Sequence, residues 1–77
     1  MKYLEFTFRT FPCTETVNDV LAAVLGDAGF ESFVEQEDGI AAYIQQDLYD
    51  EAAVKTSIEE FPLPDTKIEY TYEEAED

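Results

Sequence analysis

The sequence predicts an α+β domain of the ferredoxin-like class, βαββαβ, with a four-stranded antiparallel sheet and two helices on one face. Three observations predict it. Four short runs alternate apolar and polar residues with period two, two stretches between them carry apolar residues at helical spacing, and Gly, Pro or Asp stands at the junctions. The order strand, helix, strand, strand, helix, strand is the split βαβ arrangement. The right-handed crossover rule then makes strands one and three central and places strands two and four at the edges.

Each element has its own justification. In residues 2–9 Leu4, Phe6 and Phe8 point one way and Tyr3, Glu5, Thr7 and Arg9 the other, which describes a strand with one buried face. Pro12 breaks it, and Thr14 or Thr16 can cap a helix whose first turn is favoured by Glu15 and Asp19. Val17, Val20, Leu21, Val24, Leu25 and Ala28 form its apolar stripe, and Gly29 supplies a left-handed stop. Residues 30–36 return as a strand, Asp38-Gly39 suits a tight hairpin, and residues 40–45 give a third strand with Ile40, Ala42 and Ile44 inward. Asp47 can cap a second helix running to Phe61, with Val54, Ile58 and Phe61 on one face and Pro62 and Pro64 beyond it. Residues 66–72 close the sheet with Ile68, Tyr70 and Tyr72 on one face, and residues 73–77 read as a solvated acidic run.

Length and charge bound the function. Seventy-seven residues suffice for one domain with one modest core, and 45% hydrophobic residues with 14% aromatics offset the ordering entropy. Nineteen acidic residues face four basic ones, for a net charge of −15, and the chain has no His and one Cys. The usual reagents of acid–base, nucleophilic and metal chemistry are therefore absent or solitary, which argues against a catalytic domain. The charge is uneven, net −3 in residues 1–34 and net −12 in residues 35–77. Such a field steers basic partners and repels nucleic acid and anionic membrane surfaces. No stretch resembles a signal peptide or a membrane span, so a soluble, cytoplasmic location is expected. Cys13, between Pro12 and a helix start, reads as a small packing residue without a base to activate it.

Two candidate motifs reduce to structural roles. Gly26-Asp27-Ala28-Gly29 looks like a phosphate loop but ends a helix instead of opening one, so it reads as a C-cap. Glu37-Asp38, Asp50-Glu51 and Glu59-Glu60 lack the ligand spacing of a calcium loop and read as solvated charge. The stronger constellation is the sheet face that the helices leave open. On the registers above, Tyr3, Glu5, Thr7, Glu31, Phe33, Glu35, Tyr43, Lys67, Glu69 and Thr71 share it, three aromatics among carboxylates. Of these, Tyr3, Glu5, Thr7, Phe33, Glu35, Tyr43 and Glu69 are the candidate partner-binding residues, in the pattern of aromatic anchors ringed by charge. Phe33 is the residue most exposed to a one-residue register slip, which would turn it into the core.

The opening Lys-Tyr-Leu-Glu-Phe-Thr-Phe-Arg, the central Ala-Gly-Phe-Glu-Ser-Phe-Val-Glu-Gln-Glu-Asp-Gly with Ala-Ala-Tyr-Ile after it, and the closing Phe-Pro-Leu-Pro-Asp-Thr-Lys-Ile-Glu-Tyr resemble the amino-terminal domain of a ribosomal protein methyltransferase family. Members of that family methylate large-subunit ribosomal protein eleven, and the likeness is to Bacteroides-type members. The resemblance covers the whole chain and implies a ferredoxin-like substrate-recognition domain over residues 1–72, with residues 73–77 beginning an acidic linker to a methyltransferase domain. It implies a basic ribosomal protein of the large subunit as partner, and S-adenosylmethionine as cofactor of the full-length enzyme but not of this chain, which by itself would be an inactive piece of a larger protein. The competing reading is a free-standing regulatory or small-molecule-binding domain of the same fold, working as a homodimer through sheet edges or open faces.

Overall fold

The computed structural model describes residues 2–76 and has the ferredoxin-like architecture. Strand β1 spans Lys2–Phe11, helix α1 Glu15–Asp27, β2 Ser32–Gln36, β3 Gly39–Gln45, α2 Glu51–Glu59 and β4 Lys67–Glu76, with a 3-10 turn at Gln46–Leu48. The sheet order is β2-β3-β1-β4 and each neighbouring pair is antiparallel, as in the split βαβ arrangement.

The core lies between the sheet and the helices. Leu4, Phe6 and Phe8 stand opposite Ile44, Ala42 and Ile40 across the β1–β3 ladder, and with Leu21, Leu25, Phe30 and Val54 they form one buried cluster. Phe6 is its centre. Its ring lies 5.2 Å from Phe30, edge on, and 4.6 Å from Tyr72, stacked, and both geometries suit the aromatic quadrupole. The two helices contribute unequally: α1 buries Val17, Asn18, Leu21 and Leu25, whereas α2 buries only Val54.

The ends of α1 follow from its sequence. The Thr14 hydroxyl accepts from the Val17 amide at 3.1 Å. At the other end Gly29 has φ +107°, the Phe30 amide donates to the Leu25 carbonyl and the Gly29 amide to that of Gly26, which is a Schellman closure. One polar pair is buried beside this helix, the Thr10 hydroxyl donating to the Asn18 side-chain oxygen at 2.9 Å.

Five expectations are corrected. The tight turn is made by Glu37 and Asp38, because Gln36 and Gly39 already pair, and the positive-φ positions among the described residues are Asp65 and Gly29. Gly39 serves close approach instead: a Cβ there would sit 2.0 Å from the Phe8 carbonyl oxygen. The cap of α2 is Asp50, whose carboxylate accepts from the amides of Ala52 and Ala53, while Asp47 falls in the 3-10 turn. The closing strand continues past Tyr72 to Glu76, so residues 73–76 pair with β1; residue 77 lies outside the described residues. Cys13 is exposed, its sulfur accepting from the Asn18 side-chain amide at 3.7 Å and meeting the Glu37 carbonyl at 3.6 Å.

The fifth correction concerns β2. Phe33 and Glu35 stand opposite Ala42 and Ile40, whose side chains face the core, so both lie on the helix side of the sheet. Phe33 packs against the core cluster, and Glu35 is exposed at the edge of that side. The reason lies upstream: Phe30 is consumed in closing α1, the strand starts at Ser32, and its parity is set one residue away from the expected one.

Candidate partner-binding face

The face turned away from the helices is built by the odd-numbered residues of β1, β3 and β4. Tyr3, Glu5, Thr7, Arg9 and Phe11 run along its middle, opposite Gln45, Tyr43, Ala41 and Gly39 on one side and Ala75, Glu73, Thr71, Glu69 and Lys67 on the other. Five of the seven candidate residues are therefore together, namely Tyr3, Glu5, Thr7, Tyr43 and Glu69. Phe33 and Glu35 are not among them. The edge strand contributes Val34 instead, opposite the buried Ala41 and 48% exposed. Glu31 precedes β2, and its carboxylate accepts from the Gln45 side-chain amide at 3.3 Å.

The face is electrostatically graded. At one end the Arg9 guanidinium lies 5.7 Å from the centre of the Phe11 ring, and the Lys67 ammonium is 3.4 Å from the Glu69 carboxylate. Toward the other end Glu5 and Glu73 stand directly opposite each other, an unfavourable like-charge pair. The Tyr43 hydroxyl donates to Glu5 at 2.9 Å. That hydrogen bond, with burial and the Glu5 charge adding to it, raises the Tyr43 hydroxyl above the usual tyrosine range, because ionising it would set a phenolate beside a carboxylate.

Sequence reasoning missed Phe11, Val34 and Glu73 as members of this face. Carrying the alternation of β1 past Arg9 would have found Phe11, and carrying β4 past Tyr72 would have found Glu73. Val34 was hidden by the parity of β2.

Among the described residues, neither the 26–30 segment nor Gly39 has the form of a glycine-rich cradle for S-adenosylmethionine. The amides of Ala28, Gly29 and Phe30 are spent on closing α1, and Gly39 is pressed against the Phe8 carbonyl, so neither glycine site offers free backbone donors to a ligand. Among the described residues no group of three or more Cys, Asp or Glu side chains is placed to hold a metal ion, and no helix is long and apolar enough to cross a membrane.

Over its whole length the chain is 75% identical to a ribosomal protein L11 methyltransferase of Bacteroides thetaiotaomicron and 71% identical to one of Bacteroides fragilis, spanning 28% of each. It is 68% identical to that of Phocaeicola vulgatus, spanning 27%. The chain matches the amino-terminal part of the ribosomal protein L11 methyltransferase family. The likeness extends to a Porphyromonas gingivalis member at 37% identity over 95% of this chain. The chain thus spans a little over a quarter of the length of these L11 methyltransferases. No protein-family model and no solved structure matches it.

Proposed function

We propose that this chain is the substrate-recognition module of an S-adenosylmethionine-dependent ribosomal protein methyltransferase. It binds a basic protein of the large ribosomal subunit in the cytoplasm and presents amino groups to a catalytic domain outside these 77 residues. The observation that carries the reading is the full-length match to proteins named as L11 methyltransferases, by a chain whose own glycines close a helix and a strand pair. Cofactor binding and methyl transfer then belong to the other part of the enzyme.

The open face supplies the chemistry of attraction. A Lys or Arg side chain reaching Glu5 and Glu73 would relieve the repulsion between them, and Tyr3 and Tyr43 beside them offer aromatic surface. A net charge of −15 speeds the encounter with any cationic protein, so selection of one partner rests on the apolar contacts of Tyr3, Tyr43, Val34 and Phe11.

Calorimetric titration with ribosomal protein L11 at low salt, and again at roughly 0.5 M salt, tests the reading. One-to-one association that weakens strongly with salt is expected. Absence of association at low salt overturns it, and ligand-stabilised homodimers of the chain would establish the competing regulatory reading.

A further inference from the structure

The strand that closes the sheet is as long as the central one and is paired on one side only. β4 matches β1 at ten consecutive positions, from Lys2 opposite Glu76 to Phe11 opposite Lys67, and is the last strand in the sheet order. Every second residue of such an edge points its amide and carbonyl outward, as a template for another strand. The opposite edge, β2, has five residues.

We infer that the free edge of β4 takes a cationic extended segment of the partner as a fifth strand. This rests on the reading that the chain binds a basic protein, and it names the mode of binding. Charge selects the occupant. The strand carries four glutamates against Lys67, and that ammonium is already held by Glu69. A second copy of β4 would bring a like excess of negative charge alongside, whereas a Lys- or Arg-bearing strand neutralises it. The one-signed charge that protects this edge from self-pairing leaves it open to a strand of opposite sign.

Side-chain alternation sets the pattern the edge would read. On the open face an added strand meets Glu69, Thr71 and Glu73, which favour basic residues at every second position. On the helix side it meets Tyr72, 51% exposed and stacked on Phe6, which offers a fixed ring to an apolar or cationic side chain. The matching segment is an extended run in which Lys or Arg alternates with apolar residues.

The test uses a synthetic peptide of the length of β4 with alternating Lys and Val, and the same peptide N-methylated at its central residues. Methylation keeps the charge, removes the amide donors of both edges and sets methyl groups against the approaching strand. The parent peptide should slow hydrogen exchange at the outward amides of β4, and methylation should weaken binding more than tenfold, since several backbone hydrogen bonds are lost. Equal binding of both peptides with β4 amides unprotected would overturn strand addition and leave charge-driven docking, and the functional reading, standing. Failure of the parent peptide to bind also overturns it, and the L11 titration then judges the functional reading separately. Dimerisation of the chain through β4 that the peptide does not displace would make a second copy the occupant and sink the inference as well.

Discussion

Glu5 and Phe6 are neighbours in β1 and end on opposite faces of one sheet, where opposite rules govern them. On the helix side Phe6 is fully buried, touching Phe8, Phe30, Tyr49, Tyr70 and Tyr72, and its identity is fixed by packing. On the open side Glu5 faces Glu73 across one ladder and Tyr43 across the other, an arrangement that folding alone does not favour. The proposed recognition role would account for a residue that lowers the stability of its own sheet. The comparison separates residues that make the fold from residues that the fold displays.

The largest expected effect is on the packed side. Phe6→Ala removes the hub of the aromatic cluster and should cost about 3–5 kcal/mol in urea unfolding. A loss near 1 kcal/mol would mean that the helix side is loosely filled and the contrast between the faces is false. Next comes Gly39→Ala. The new methyl group would collide with the Phe8 carbonyl, so the strands must part, at about 1–3 kcal/mol. Asp38→Ala, in the turn itself, should be near neutral. Equal costs for the two substitutions would return the demand for flexibility to the turn.

Phe33→Ala sharpens the boundary between the faces, because Phe33 is the residue that changes sides. Half-buried against the core cluster, it should cost about 1–2 kcal/mol while leaving affinity for L11 per folded molecule unchanged. A loss of affinity with unchanged stability would restore it to the open face.

How much of this was legible follows from the same residues. Strand order, the inward sets of β1 and β3, the Gly29 end of α1 and its start at Thr14 or Thr16, of which Thr14 is the cap, could be read because local pattern and tertiary packing agree there. The parity of β2 could not, since Phe30 and Phe33 are both apolar at odd spacing and only the α1 closure decides which starts the count. The extent of β4 was hidden because Glu73 and Glu74 read as a solvated run, yet β1 supplies a ladder partner opposite each. Glu5 and Tyr43 were placed correctly by alternation, but their contact required the register between β1 and β3.

A pH measurement probes the packed side at its rim. Burial, with Tyr72 beside it, pushes the Tyr49 hydroxyl from 10.0 up to about 12, so the folded state favours its neutral form. The stabilisation is fully present below pH 10, where both states are protonated, and is lost as the pH rises toward 12. Relative to Tyr49→Phe, the native chain should lose stability through that window. Parallel unfolding curves for the two proteins would show that Tyr49 is better solvated than its packing against Phe6 and Tyr72 implies.

The smallest effect on stability should be the most informative about function. Glu73→Gln removes one member of the like-charge pair with Glu5, and it should raise stability by about 0.2–1 kcal/mol in the urea midpoint. The same substitution removes a carboxylate from the attracting end of the face, so affinity for L11 at low salt should fall several-fold, with the loss shrinking as salt rises. Opposite signs in the two measurements are what a surface held for a cationic partner requires. If the variant is more stable and binds L11 as well as the native chain, the pair repels without serving that partner, and the attraction must be sought elsewhere along β4.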